Sequence, residues 1–110
     1  MLPTVHRLSA KEFPVVLQKG VRLHTEYIDV RYKKTAEPSH MGFIIGKAVD
    51  KRSSRRNRMK RQLSENVRLI LKDHDPHTDA VFMVRKALPQ DHTRVTAIVG
   101  KIMETLNPHV

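Results

Sequence analysis

The spacing of apolar residues along the chain predicts three helices and three strands. The first helical stripe, residues 13–17, follows Ser9, which has capping-box spacing to Glu12, and it stops at Gly20. Pro14 would remove a backbone hydrogen bond from a helix that began at position 10. We therefore expect this helix to begin after Ser9.

Strand patterns follow the first helix. Residues 26–33 alternate apolar and polar side chains with the period of a half-buried strand, and residues 41–46 form a short apolar run that predicts a more buried strand. The polar turn around Pro38 predicts a hairpin that joins these two strands. A third apolar run, residues 80–85, predicts another buried strand.

Two longer helical patterns complete the chain. Apolar residues recur at helical spacing from residue 54 to about 72 and again over residues 95–106, where the pattern ends at Asn107 and Pro108. The predicted order is helix, strand, strand, helix, strand, helix. Because a helix with one apolar stripe must cover a sheet, and a strand, helix and strand in succession suggest a crossover, we predict an α/β two-layer sandwich.

Length and composition narrow the class of protein. The chain has 110 residues and 39% of them are apolar, so we expect a single domain over residues 1–110. The absence of cysteine excludes disulfides, thiol catalysis and cysteine-ligated zinc. No apolar run approaches the ~20 residues of a membrane-spanning helix, and no signal-peptide core is seen, so we expect a cytoplasmic protein.

The distribution of charge indicates a polyanionic partner. The formal net charge is +10, and seven of the 21 basic residues fall between positions 51 and 61 without an acid among them. On the predicted helix, Arg58, Arg61 and Arg68 lie opposite the apolar stripe and would face outward. Guanidinium groups can hold phosphate oxygens bidentately, so this segment predicts nucleic-acid binding. Charge alone does not separate RNA from DNA.

Other interpretations stay open at this point. A charged helix face is often only a solvated surface. His74, Asp75, His77 and Asp79 contain the side chains of a metal site or an acid–base group, which would suit a nuclease. Pro76 inside this group favours a polar turn instead, so we expect no catalysis by the protein itself.

Residues 42–70 carry a resemblance to a known family. Gly42 and Phe43 of the predicted strand and the following Lys47 precede the helical motif Arg-Asn-Arg-x-Lys-Arg at residues 56–61. This order and interval resemble the bacterial ribonuclease P protein. The upstream segment HRLSAKEFPVVLQKG and the downstream segment DAVFMVRKAL are also similar to that family, so the resemblance extends over residues 6–106.

The resemblance implies a fold and a function. The implied fold resembles a ribosomal protein domain and contains an uncommon left-handed βαβ crossover that places the basic helix beside an open sheet. The implied function is that of an accessory subunit of ribonuclease P, whose catalytic RNA removes the 5′ leader of precursor tRNA with Mg²⁺ bound mainly by the RNA. The alternative is a stand-alone, ribosome-type RNA-binding protein.

The resemblance and the basic segment together define the predicted site residues. Those expected to bind RNA are Lys47, Lys51, Arg52, Arg55, Arg56, Asn57, Arg58, Lys60, Arg61 and Arg68. The cleft expected to hold the leader, between the first helix and the sheet, is predicted to be lined by Phe13, Leu17, Tyr27 and Tyr32. Leu17 stands where the family often has an aromatic residue, and Ala48 and Ser64 stand where basic residues are common. These departures imply weaker base stacking and fewer phosphate contacts.

Overall fold

The computed structural model describes residues 2–106, in which a 3₁₀ turn at Thr4–His6 precedes three helices and four strands. In chain order these are α1 (Glu12–Lys19), β1 (Val21–His24), β2 (Ile28–Lys34), β3 (His40–Ile45), α2 (Ser53–Asp73), β4 (Thr78–Val84) and α3 (His92–Leu106). None of the helices within these residues has the length and apolar character needed to cross a membrane.

The four strands form one mixed sheet in the order β1-β2-β4-β3. β1, β2 and β4 are antiparallel neighbours, and β3 pairs with β4 in parallel. The predicted hairpin between residues 26–33 and 41–46 is therefore wrong, because β4 lies between those two strands. β4 occupies the interior of the sheet because Ala80, Val81 and Phe82 are all apolar and fully buried, which suits a strand that is covered on both faces.

Most of the predicted elements are confirmed with shifted ends. α2 extends one residue beyond its predicted span at each end, and the predicted crossover is the β3-α2-β4 unit. The left-handedness of this crossover remains an expectation that rests on the family resemblance. The sequence pattern missed β1, a four-residue edge strand that is mostly exposed and whose apolar–polar alternation is too short to stand out. The predicted end of the last helix at Asn107 and Pro108 lies outside the described residues.

Strand alternation divides the core between the two faces of the sheet. Phe82 of β4 belongs to the main cluster under α2 and α3, where its ring centroid lies 5.3 Å from that of Phe43. Val81 points to the other face and packs with Leu8 and Val16 of the α1 segment. The predicted two-layer arrangement therefore describes α2, α3 and the sheet, while α1 covers part of the opposite face.

The start of α1 shows how the helix accommodates its proline. The Ser9 hydroxyl donates to Glu12 Oε1 over 2.9 Å, and the Ser9 carbonyl accepts the N–H groups of Glu12 and Phe13 over 3.0 and 3.3 Å. Pro14 falls in the first turn, where backbone N–H groups have no partner within the helix. No helical hydrogen bond is lost, and the expectation that the helix begins after Ser9 is confirmed.

Candidate nucleic-acid interface

One face of α2 is fixed against the sheet, and this sets the direction of the opposite face. The buried apolar residues of the helix are Met59, Leu63, Val67 and Leu71. Its buried polar side chains, Ser64 and Asn66, donate to backbone carbonyls one turn earlier, over 2.6 and 2.8 Å. Complete burial of a leucine such as Leu63 contributes about 1.5–3 kcal/mol. The helix is therefore anchored by packing, and its charged face points outward.

Most of the predicted RNA-binding cations are exposed and have no acidic partner. Within residues 2–106, those that are exposed and form no ion pair are Lys47, Lys51, Arg52, Arg58, Lys60 and Arg61. We call these six residues the basic surface. Asn57 is exposed among them. Their charges are solvated and available to an anionic partner.

Two arginines of the predicted set also shape the approach to α2. Arg56 is half-buried, and its Nη1 donates to the backbone carbonyls of Asp50 and Lys51 over 2.9 and 3.0 Å. The Asp50 carboxylate accepts the N–H of Arg52 over 2.9 Å and lies 3.9 Å from Arg55 Nη1. Arg56 therefore holds the loop that precedes the helix, in addition to adding positive charge.

The basic surface begins in the loop before α2 and continues in the second and third turns of the helix, on either side of an N-terminus whose dipole disfavours cations. The first turn contains no acid, and Arg52 at the N-cap position provides no side-chain cap. A helix N-terminus carries roughly half a positive charge and unpaired N–H groups, and a sequence selected only for stability places acids there. The dipole and the side chains here add to the same positive potential. Such an arrangement favours anions, above all phosphate.

Arg68 contributes less free positive charge than the basic surface does. Its Nε donates to Glu65 Oε2 over 2.8 Å, one turn along the helix. This hydrogen bond, together with the positive charge of Arg68, holds the pKa of Glu65 below its ordinary value. The guanidinium is therefore partly neutralised within the protein.

A second feature of the interface is the cleft beside α1. The ring of Phe13 lies directly on β3, so that a Cβ atom added at Gly42 would stand 2.8 and 3.0 Å from Cε1 and Cε2 and closer still to Cζ. Phe13 and Leu17 are half-buried and pack with Met83 against the small core under α1. Both predicted α1 residues thus form an apolar wall over the sheet, and glycine at position 42 lets the ring approach the strand.

The two tyrosines predicted for this cleft lie elsewhere. Tyr27 and Tyr32 pack against the main core on the α2 and α3 side of the sheet, and the Tyr27 ring lies 4.9 Å from Lys86 Nζ. That part of the prediction is wrong, because Tyr32 shares its face with the buried residues of β2, Ile28 and Val30.

Cationic residues that the sequence argument did not select share the face of α1 instead. Arg22 lies opposite Arg31 in the pairing of β1 with β2, and Arg31 lies opposite Val81, which packs under α1. Lys33 follows Arg31 on the same face and is exposed. Strand parity would have identified these residues if the pairing of β2 had been known. The open part of the cleft therefore combines an apolar wall with a charged floor, in which these cations lie beside Asp29 and Asp79.

The polar loop before β4 has a structural role. The Asp75 carboxylate accepts hydrogen bonds from the Ser39 hydroxyl, from the Ser39 N–H over 3.2 Å and from the His77 N–H over 2.8 Å. Burial raises the pKa of Asp75, but these hydrogen bonds outweigh it and leave the pKa below its ordinary value. His77 has a φ of 50°, and its imidazole Nδ1 lies 3.0 Å from the Glu37 carbonyl.

The structure separates the residues of the nuclease alternative. Asp75 is engaged with Ser39, whereas Asp79 pairs with His40, with 2.8 Å between Oδ1 and Nδ1. Among the described residues, His74, Asp75, His77 and Asp79 do not form one metal-ligand group. The polar loop that the sequence favoured is therefore the better description of this segment.

Comparisons with known proteins agree with this geometry. The family model for ribonuclease P matches residues 2–107. A ribonuclease P protein component from Rippkaea orientalis is 34% identical over 91 residues, which cover 76% of this chain and 72% of that protein. A second, from Synechococcus, is 30% identical over 94 residues, which cover 80% and 71%. The ribonuclease P protein from Thermotoga maritima has a TM-score of 0.73 at 24% identity, covering 94% of this chain and 97% of that one. From its sequence, its fold and its basic helix, the chain belongs to the ribonuclease P protein family.

Proposed function

We propose that this chain is the protein subunit of a bacterial ribonuclease P and that it binds the catalytic RNA through the basic surface. The observation that carries the proposal is a group of exposed cations that, within residues 2–106, form no ion pair and that lie in the loop before α2 and in the second and third turns of this anchored helix. Arginine forks suit phosphate oxygens, and Asn57 can donate to a phosphate, a base edge or a 2′-hydroxyl. Arg55, Arg56 and Arg68 add charge around this contact while also making bonds within the protein.

The second part of the proposal concerns the 5′ leader of precursor tRNA. A single strand can be held by stacking of bases and by cations that follow its phosphates. The Phe13 ring and Leu17 offer the apolar wall, and Arg31 and Lys33 lie on the same face of the sheet. One base stacked on an aromatic ring contributes about 1–3 kcal/mol. With Leu17 in place of a second aromatic residue, we expect the hold on the leader to depend mainly on Phe13 and on charge.

The chemistry in this proposal belongs to the RNA. Hydrolysis of the phosphodiester uses Mg²⁺ held mainly by the RNA subunit, which assists the attack on the scissile phosphate. The protein contributes positive charge along the RNA, and this reduces the Mg²⁺ concentration required to offset phosphate repulsion. No side chain of the protein takes part in bond cleavage.

Reconstituted cleavage tests the assignment. The purified protein is added to a bacterial ribonuclease P RNA and a precursor tRNA carrying a labelled 5′ leader, at a Mg²⁺ concentration too low for the RNA alone. We expect the mature 5′ end only when both components are present. An RNA that gains nothing from the protein would contradict the subunit assignment and favour a stand-alone binder. Cleavage by the protein alone would favour the nuclease alternative.

Salt dependence tests the proposed surface. The logarithm of affinity falls by about 0.7–0.9 per phosphate contact for each tenfold rise in salt. The Arg58→Ala/Arg61→Ala variant should therefore lower the slope for the catalytic RNA by about 1.4–1.8, twice the value of one contact. Lys101→Ala removes an exposed cation of α3 and serves as the matched control, with an unchanged slope. Equal slopes for the double variant and the unmodified protein would place the RNA contact elsewhere.

A further inference from the structure

Three side chains with metal-ligating atoms meet beside the start of α1. Glu12 is the first residue of α1, His40 is the first of β3, and Asp79 is the second of β4. One ligand atom from each lies within 4.8 Å of the other two. The parallel pairing of β3 with β4 sets His40 opposite Asp79, and His40 Nδ1 lies 2.8 Å from Asp79 Oδ1. The pairing of the two strands therefore fixes the relative positions of His40 and Asp79, two of the three side chains.

The surroundings of this group leave two carboxylates close together. The side chains of His40 and Asp79 are only 17% and 13% exposed, and Glu12 is half-buried. Ser9 donates to one carboxylate oxygen of Glu12 over 2.9 Å. Lys33 lies opposite Asp79 in the pairing of β2 with β4, but within residues 2–106 it forms no ion pair with either acid. A cation between the carboxylates would offset their repulsion.

We propose that Glu12, His40 and Asp79 bind one divalent transition-metal ion such as Zn²⁺ or Mn²⁺. An imidazole nitrogen with two carboxylates suits these ions, whereas Ca²⁺ and Mg²⁺ prefer oxygen ligands alone. Bond lengths of about 2.0–2.2 Å place the ligand atoms of one ion roughly 3–3.5 Å apart. His40 Nδ1 and Asp79 Oδ1 share a hydrogen bond at 2.8 Å, so they need to separate by only a few tenths of an ångström when an ion replaces the proton between them. The flexible side chain of Glu12 can close the remaining distance by rotation.

An ion at this position would join α1 to the two parallel strands. Phe13 follows Glu12, and Gly42 lies two residues beyond His40, so the ion would stand next to the ring that forms the wall of the cleft. Three protein ligands leave at least one position for water or for a phosphate oxygen. The proposal concerns the protein alone and does not depend on the proposed function.

Direct titration tests the site. The full chain, freed of metal by chelation, is titrated with Zn²⁺ by calorimetry and with Co²⁺ by visible absorption, which reports ligand number. We expect one ion per chain and a melting temperature that rises with metal. Glu12→Gln, His40→Asn and Asp79→Asn should each weaken binding by more than about tenfold, since even an outer-shell partner contributes about 10–100-fold. Circular dichroism establishes that each variant is folded before titration.

A matched histidine separates this site from nonspecific binding. His24 Nδ1 lies 2.7 Å from Asp29 Oδ1, but the third neighbour of that pair is Arg22, 3.5 Å from Asp29, rather than a second acid. His24→Asn should therefore leave the affinity and stoichiometry unchanged. The proposal is overturned if the unmodified protein takes up no ion, if His24→Asn loses as much affinity as His40→Asn, or if the folded Glu12→Gln variant binds as tightly as the unmodified protein.

Discussion

Replacing Gly42 by alanine tests the close contact between the Phe13 ring and β3 that forms the wall of the cleft. The added Cβ would stand 2.8 and 3.0 Å from two ring carbons of Phe13 and nearer to a third, whereas carbon atoms in contact are about 3.5–4.0 Å apart. The ring must therefore retreat by roughly 1 Å, away from the strand and from its packing with Val16 and Leu17. Overpacking of this kind costs about 1–3 kcal/mol. For a domain of this size we expect the melting temperature to fall by roughly 4 °C or more.

Urea denaturation followed by circular dichroism gives the free energy of unfolding for the comparison. Gly100 is the matched control, because a Cβ added there meets nothing within 4 Å and the residue lies inside α3. Gly100→Ala should stabilise the protein by about 0.5–1 kcal/mol, since alanine is the better helix former. The same chemical change is thus expected to have opposite effects at the two positions.

A double variant identifies the contact that is responsible. In a Phe13→Ala background the clash is absent, so Gly42→Ala should cost little, and the coupling free energy between the two positions should fall in the range of about 0.5–3 kcal/mol. If Gly42→Ala costs as much without the ring as with it, the Phe13 ring does not lie on β3 in solution. The same outcome would remove the apolar wall from the proposed leader cleft.

Three other substitutions probe the elements around the site. Leu63→Ala should lower the free energy of unfolding by about 2–5 kcal/mol in urea, because the side chain is fully buried between α2 and the sheet. Arg56→Ala should cost about 1 kcal/mol in the free energy of unfolding and speed amide exchange in the loop before α2, because the Arg56 side chain donates to two backbone carbonyls of that loop. Lys60→Ala should change neither quantity. Asp75 has a lowered pKa in the folded protein, so its charge stabilises the fold above its ordinary pKa of 3.8, and this contribution is lost as the pH falls below that value. Asp75→Asn should therefore flatten the acid side of the curve of melting temperature against pH, and an unchanged acid side would refute this role.

The local spacing of apolar residues predicted the helices well, because each helix buries one stripe of apolar side chains. The spacing of Met59, Leu63 and Val67 needs no knowledge of the sheet, and α2 forms within one residue of its predicted ends. The outward direction of Arg58 and Arg61 follows from the same periodicity. β1 escaped prediction because it is only four residues long and, at the edge of the sheet, buries little of its surface.

Features that depend on strand order could not be predicted from local pattern. The hairpin prediction failed because nothing within residues 26–46 reveals that β4 inserts between the two strands. The face of Tyr32 depends on the same pairing, since alternation gives two faces without saying which one α1 covers. The proximity of His40 and Asp79, 39 residues apart in the chain, likewise requires the parallel register.

The interior position of β4 has a consequence for biosynthesis. Of the four strands, β4 is the last to leave the ribosome, yet both β2 and β3 hydrogen-bond to it. A nascent chain that ends before residue 78 carries the arginine-rich helix without the strand that joins the two halves of the sheet. Because these contacts are distant in sequence, we expect folding to wait for their arrival. Prematurely terminated chains would then lack an α2 that is held against the sheet, and they would compete poorly with complete molecules for RNA.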